Sequence, residues 1–471
     1  MTTLIVIIFI LGYMAIAMEH TLKINKTATA LFLSVACWVL FMADCTGYVE
    51  SLHGSAFEAF RATLAHPGTL LDDARHFVTE NLFLGHVAEA CEIIFFLMGA
   101  MTIVEVVDAN GGFSFVRDRL TTRSKRVLLW RIVFITFILS TVLDNLTTTI
   151  VMIMVLRKLI ASRNERMLYA GMVVLAANSG GAFSPIGDVT TIMLWIKGNI
   201  TTAGVLGEVF LPSLVSVLVP ALIVHFRLKG ELGEPPAEHH GHDNEAHAFS
   251  VWQRNAVFYV GVGGLIFVPI FRTLTGLPPF MGIMLVLSVL WIMTELFCRS
   301  HQGKDSSMKQ RVSNLLHRID MSTILFFLGI LVAVGALQET GVLHTLGLWL
   351  DETSGNNAYW VTGIIGVASS IVDNVPLVAS CMGMYEIVPA VTAAANPELI
   401  NFVQDGIFWQ LLAYCAGVGG SILIIGSAAG VVVMGLENLT FGWYLKNISL
   451  LALAGYLAGM AAYALQRAIF F

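Results

Sequence analysis

Apolar runs of about 20 residues recur along the whole chain, and they limit its possible folds more than any other feature. A helix of that length crosses a hydrocarbon core about 30 Å thick. Charged residues make up 12% of the 471 positions, whereas soluble domains carry about 25%. We therefore predict an all-α polytopic membrane protein. The net charge of −6 gives no reason to expect a nucleic-acid partner.

Ten of the apolar runs have the length and flanks of ordinary spans. They cover residues 3–19, 27–49, 90–110, 172–197, 204–227, 253–272, 279–298, 321–340, 407–434 and 446–468. Lys and Arg collect in cytoplasmic loops, and their distribution puts both termini on the periplasmic side. We expect a bacterial inner (cytoplasmic) membrane protein in contact with the lipid bilayer.

Two further apolar stretches, at about 131–157 and 357–393, do not fit this pattern. Basic residues flank both ends of the first stretch, and a single crossing would place one of these basic clusters outside. We therefore expect the stretch to enter and leave the membrane on the cytoplasmic side. The second lies in a region from Arg318 to Lys446 that contains no other Lys or Arg, which puts both of its ends outside. Each stretch is predicted to be a re-entrant hairpin.

Internal similarity relates the two halves of the chain. STVLDN at 140–145 matches SSIVDN at 369–374, and a glycine pair follows each match inside an apolar span, at 180–181 and at 419–420. Because the element order is the same and the charge pattern is reversed, we predict two inverted-topology repeats, each with a re-entrant hairpin and a broken transmembrane helix. Their expected bounds are 1–229 (broken helix 172–197) and 253–471 (broken helix 407–434), joined by a cytoplasmic His-rich linker at 230–252.

Three carboxylates, Asp144, Asp188 and Asp373, fall within these hairpins and broken helices. Lys and Arg occur only at the ends of the same segments. Placing a charged side chain within the membrane costs free energy, so such a residue usually marks a transport pathway. Acids without a buried cationic partner favour a cation or protons as cargo, and they disfavour a dicarboxylate.

Oxygen-bearing side chains surround these acids, and an all-oxygen shell suits a small hard cation such as Na⁺ or Li⁺. The predicted cation- and proton-binding residues are Asp144, Asn145, Asp373, Asn374, Asp188, Ser140, Thr147, Ser369, Asn178, Thr190 and Thr191, with Na⁺ held by the first four. Glu92, Glu105, Ser421 and Ser427 are predicted accessory residues.

The same acids also suggest how exchange is coupled. Burial and a like-charged neighbour favour the protonated form of an Asp, so H⁺ and Na⁺ compete for one group. Cytoplasmic Na⁺ or Li⁺ is then exchanged for external H⁺ without a separate proton path. We expect no cofactor, and no enzyme motif is evident.

At these residues the chain resembles the NhaD-type sodium/proton antiporters of the ion transporter superfamily. The resemblance covers essentially the whole chain, and the duplicated Ser-x-x-x-Asp-Asn tips are its most specific part. It implies a homodimer with a scaffold domain and a moving transport domain. Two alternatives on the same fold stay open: a sodium-coupled anion (dicarboxylate) symporter, whose tips typically read Ser-Asn-Thr, and an arsenite exporter.

Overall fold

The structure is a computed structural model of the chain. It describes residues 1–64, 66–112, 119–120, 122–232, 249–300, 312–355, 357–371 and 373–470. Most of the predicted His-rich linker, residues 233–248, lies outside the described residues.

Within these ranges the regular secondary structure is helical, apart from an isolated bridge between Ser124 and Glu231. The α-helices are Thr2–Ala17, Glu19–Leu22, Lys26–Ala43, Cys45–Leu52, Gly54–Thr63, Leu70–Phe77, Leu84–Ala109, Lys125–Val142, Asn145–Leu159, Arg163–Ala182, Val189–Ile196, Thr202–Arg227, Val251–Thr275, Pro279–Ser300, Val312–Leu315, Met321–Glu339, Val342–Ser354, Ala358–Ala368, Asn374–Met384, Ala390–Ala395, Ile407–Gly419, Ala428–Glu437, Phe441–Tyr444 and Leu450–Phe470. Val78–Phe83 and Leu445–Ser449 are π-helical, and Leu316–Arg318 and Pro397–Phe402 are 3₁₀ turns. The predicted all-α class is confirmed.

Among the residues that the structure describes, seven helical stretches are long and apolar enough to cross a membrane. They are Lys26–Ala43, Leu70–Ala109, Thr202–Arg227, Val251–Thr275, Pro279–Arg299, Met321–Glu339 and Phe441–Phe470. The shorter apolar helices include the second arm of the first predicted hairpin, both arms of the second predicted hairpin and both halves of the second broken helix.

The chain forms two compact units, and each collects segments from both halves of the sequence. Unit 1 consists of Met1–Phe95, Asp320–Asn357 and Val375–Ile387. Unit 2 consists of Phe96–Ile319, Ala358–Asn374 and Val388–Phe471. All the residues of the site described below belong to unit 2.

Four helix–break–helix segments carry the predicted motifs. The first hairpin is formed by Lys125–Val142 and Asn145–Leu159, and the first broken helix by Arg163–Ala182 and Val189–Ile196. The stretch predicted to be the second hairpin contains the helices Ala358–Ala368 and Asn374–Met384, and the second broken helix consists of Ile407–Gly419 and Ala428–Glu437.

Glycines allow the hairpins to approach the broken helices closely. A Cβ atom added to Gly180 would lie 2.2 Å from the carbonyl oxygen of Phe137, and one added to Gly419 would lie 2.1 Å from that of Gly366. Real Cβ atoms do not come so near a main-chain oxygen, so both positions require glycine at this spacing. The two contacts occupy equivalent places in the matched motifs, three residues before Ser140 and Ser369.

Candidate ion-binding site

Asp188 is the carboxylate on which the tips of both hairpins converge. It is the N-cap of Val189–Ile196, and its Oδ1 accepts a hydrogen bond from the main-chain N–H of Thr190 at 3.1 Å. Its Oδ2 accepts from Nδ2 of Asn145 at 2.9 Å and from Nδ2 of Asn374 at 3.3 Å. The side chain is 1% exposed, so two neutral amides are brought to one buried acid.

Asn178 connects this carboxylate cluster to the break in the second broken helix. Its Oδ1 accepts from Nδ2 of Asn145 at 3.0 Å. Its Nδ2 donates to the hydroxyl oxygens of Ser421 and Ser427, each at 2.9 Å. One fully buried amide therefore joins the first hairpin to both broken helices.

Asp144 and Asp373 stand just before the second arms of the two hairpins. Asp144 caps its helix, accepting from the main-chain N–H of Thr147 at 2.8 Å and from the Thr147 hydroxyl at 2.6 Å. Asp373 directly precedes Asn374–Met384. Both carboxylates are half-buried and close enough to interact electrostatically with Asp188. Two of the three acids predicted from the sequence thus lie within electrostatic range of the third, Asp188.

Ser140 and Ser369 form equivalent bonds from the hairpins to the broken helices. The Ser140 hydroxyl donates to the carbonyl of Ala177 at 2.6 Å, and the Ser369 hydroxyl donates to the carbonyl of Ala416 at 2.9 Å. Each bond fixes a hairpin arm next to a glycine-rich break. Each serine hydroxyl uses its hydrogen in this bond, but its oxygen can still accept a hydrogen bond or coordinate a cation.

The other predicted residues differ chiefly in burial. The buried members of the predicted set are Ser140, Asn145, Asn178, Asp188, Thr190, Thr191, Ser369, Asn374, Ser421 and Ser427. The half-buried ones are Asp144, Thr147, Asp373 and the accessory residues Glu92 and Glu105. The hydroxyl of Thr191 donates to the main-chain oxygen of Asp188 at 2.8 Å, so it braces the start of the helix.

Asp144 and Asp188 accept hydrogen bonds from side-chain amides, a hydroxyl and main-chain N–H groups. In the part of the chain that the structure describes, the donors to Asp144 and Asp188 include no Lys or Arg. Two arginines nearby in sequence are engaged elsewhere: Nε of Arg157 and Nε of Arg166 lie 2.8 and 2.7 Å from the carboxylate of Glu437. Sequence reasoning missed Glu437, because its partners lie more than 270 residues away.

The predicted accessory residues divide into two groups. Ser421 and Ser427 belong to the cluster through their bonds from Asn178. Glu105 instead forms an ion pair with Arg318 at 3.1 Å, and Glu92 belongs to unit 1. The structure therefore brings the two serines to the cluster, whereas it pairs Glu105 with Arg318.

Comparison with known proteins identifies relatives of this chain. The family model described as "Citrate transporter" matches residues 13–403. Sodium/proton antiporter 1 of Arabidopsis thaliana is 44% identical over 97% of this chain and 71% of that protein. The Na⁺/H⁺ antiporter NhaD of Alkalimonas amylolytica is 30% identical over 82% of this chain and 79% of that protein.

A solved structure shares the fold. The crystal structure of the YdaH transporter of Alcanivorax borkumensis matches with a TM-score of 0.51, covering 91% of this chain and 98% of that one. At 12% identity the match concerns architecture.

Proposed function

Because the chain belongs to the NhaD-type sodium/proton antiporters, within the larger citrate transporter family, we propose that it exchanges Na⁺ and Li⁺ for H⁺. It is a multi-pass membrane protein of a transporter family rather than of an enzyme family. In the proposed cycle cytoplasmic Na⁺ or Li⁺ leaves and external H⁺ enters.

One observation supports this proposal more than any other: the environment of the buried Asp188 carboxylate. Amide groups of Asn145 and Asn374 donate to it, but neutral amides do not cancel its charge. A buried carboxylate that is not paired with a cation is strongly unfavourable. A proton or an incoming cation supplies the missing charge, and loading by one displaces the other.

The residues around Asp188 have the right chemistry for a small alkali cation. The carboxylates of Asp144 and Asp373 and the amide oxygens of the adjoining asparagines are hard ligands. In the described arrangement the amide nitrogens face Asp188, so we propose that the amide groups reorient when the cation binds. The cation then receives oxygen atoms where the carboxylate previously received N–H groups.

A second candidate, anion transport, is favoured by one feature. Ala428–Glu437 begins at the cluster with a neutral cap, Ser427, which accepts from the N–H of Gly430 at 3.3 Å. Helix N-termini attract anions, and the family model is described as a citrate transporter. The neighbouring acid Asp188 opposes this function, because it repels an incoming carboxylate.

The decisive experiment measures proton movement in liposomes containing the purified protein. A preformed pH gradient is challenged with the chloride salts of Na⁺, Li⁺ and K⁺, and separately with Tris citrate and Tris succinate. We expect Na⁺ and Li⁺ to collapse the gradient. Collapse by citrate or succinate without Na⁺, together with no response to Na⁺, would establish the anion candidate instead.

Variants test the role of Asp188 in the same assay. Asp188→Asn is expected to lower the Na⁺-driven flux by at least about tenfold, since a charged ligand is lost from a buried site. Asp72→Asn is the matched control, because Asp72 is exposed and belongs to unit 1. Undiminished Na⁺ flux in the Asp188→Asn protein would refute the assignment.

We also propose the inverted-repeat organisation, with halves 1–229 and 253–471. The equivalent serine bonds to Ala177 and Ala416 support it. The positive-inside pattern supports periplasmic termini in a bacterial inner membrane. The resemblance to NhaD-type proteins supports a homodimer.

A further inference from the structure

Tyr444 is a fully buried tyrosine whose hydroxyl lies against the second break. It ends the four-residue helix Phe441–Tyr444, and it is 0% exposed. Its hydroxyl donates to the main-chain carbonyl of Ser421 at 2.8 Å. Nothing in the sequence pattern around Tyr444 indicates a contact with a residue 23 positions earlier.

The Ser421 carbonyl is a group that needs such a donor. Ser421 lies between Ile407–Gly419 and Ala428–Glu437, where carbonyls have lost their helical partners. A buried main-chain carbonyl left without a bond is costly. The N–H of Ser421 bonds the carbonyl of Val418 at 3.0 Å. Together with the Tyr444 bond, this contact holds both sides of the Ser421 main chain.

The side chain of the same serine belongs to the proposed ion site. Its Oγ accepts from Nδ2 of Asn178 at 2.9 Å, and Oδ1 of Asn178 accepts from Asn145 at 3.0 Å. Asn145 in turn donates to Asp188 at 2.9 Å. Ser421 therefore links two sets of hydrogen bonds. Its main-chain carbonyl accepts from Tyr444, and its side chain begins the series that runs through Asn178 and Asn145 to the carboxylate of Asp188.

The residues that follow Tyr444 pack against the first broken helix. They form a π-helical turn, Leu445–Ser449, before the helix Leu450–Phe470. Ile448 in this turn packs on the first broken helix at Gly171, where an added Cβ atom would lie 2.6 Å from Cδ1 of Ile448. Residues 441–449 thus contact both broken helices, and π turns often occur at functional positions.

We propose that Tyr444 is a positioning residue of the ion site, which sets cation affinity by fixing Ser421 as the acceptor for Asn178. The proposal rests on the proposed cation exchange. Without the tyrosine hydroxyl, the break can shift, and the Asn178 amide loses one of its two fixed acceptors. The orientation of Asn178 towards Asn145 is then less constrained, so the cation finds a less organised set of ligands.

The test compares Tyr444→Phe with Tyr169→Phe in liposomes. Tyr169 is the matched control, because it is 1% exposed and its hydroxyl also donates to a main-chain carbonyl, that of Lys125, at 2.9 Å. We expect Tyr444→Phe to raise the KM for Na⁺ about three- to tenfold, the equivalent of one hydrogen bond, with the maximal rate within about twofold of wild type. Tyr169→Phe is expected to keep the wild-type KM.

A double-mutant cycle distinguishes positioning from a general packing role. Ser421→Ala removes the acceptor of Asn178 that Tyr444 is proposed to fix, so adding Tyr444→Phe to it is expected to raise KM little further. Additive effects of the two changes would overturn the proposal. An unchanged KM in Tyr444→Phe would also overturn it, as would failure of that variant to yield folded protein, because the tyrosine would then be structural only. Absence of Na⁺-driven flux in the wild type would instead refute the proposed function itself.

Discussion

At the residue scale, the two tip asparagines differ in the number of side-chain bonds that they donate to described residues. Nδ2 of Asn145 donates to both Asn178 and Asp188, whereas Nδ2 of Asn374 donates to Asp188 at the longer distance of 3.3 Å. We therefore expect Asn145→Ala to raise the KM for Na⁺ by more than about tenfold, and Asn374→Ala by about three- to tenfold. The Na⁺ dependence of proton flux in liposomes measures both values.

Asn81→Ala provides the control for removing an asparagine side chain. Its amide donates to the carbonyl of Phe77 within its own helical segment, in unit 1. Equal effects of Asn145→Ala and Asn374→Ala would show that the Asn178 bond contributes nothing to cation affinity.

At the scale of elements, the close contact between the second hairpin and the second broken helix depends on Gly419. A Cβ atom there would lie 2.1 Å from the Gly366 carbonyl oxygen, so Gly419→Ala forces the two elements apart. We expect this change to lower the melting temperature and to abolish most Na⁺-driven flux, because the serines of the adjoining break are displaced with the helix. Thermal unfolding in detergent and liposome flux are the two measurements.

Gly435→Ala is the matched change on the other half of the same broken helix. An added Cβ meets no atom within 4 Å there, and alanine favours a helix by up to about 1 kcal/mol over glycine. Gly435→Ala should thus leave flux intact and stability equal or slightly higher. Wild-type behaviour of Gly419→Ala would mean that the hairpin and the broken helix can separate without consequence.

At the scale of the whole molecule, a buried ion cluster joins segments that lie more than 270 residues apart in the sequence. The Glu437 carboxylate is 0% exposed and lies between Arg157 and Arg166, at 2.8 and 2.7 Å. Removing one partner of a buried ion pair costs about 3–5 kcal/mol. We take the lower end for Glu437→Gln, since the Arg157 side chain is 45% exposed, and we expect a clear drop in melting temperature.

The comparison for this prediction is the pair between Lys125 and Glu165. The side chain of Glu165 is 32% exposed, and the two groups lie 2.6 Å apart. Glu165→Gln should cost about 1 kcal/mol or less, as is typical of solvated pairs. If both variants melt at the same temperature, burial of Glu437 does not determine its contribution.

The class of fold and the position of the breaks follow from local patterns. Hydrophobic runs predicted the helices, and most predicted spans agree with the observed helices to within several residues. The hairpin tips and glycine breaks carry their own signals, because Asp and Ser cap helices and glycine permits close approach. Asp144, Asp188 and Ser427 cap helices in this way.

What the sequence by itself determined is therefore the helical membrane class, the approximate positions of the helices and the set of polar groups near the breaks. Only the tertiary structure decided which of the three acids receives both asparagines, that Tyr444 bonds the second break, and that Glu437 binds two arginines. These contacts join residues far apart along the chain. Packing of distant helices creates them, and no local periodicity or capping pattern encodes that packing.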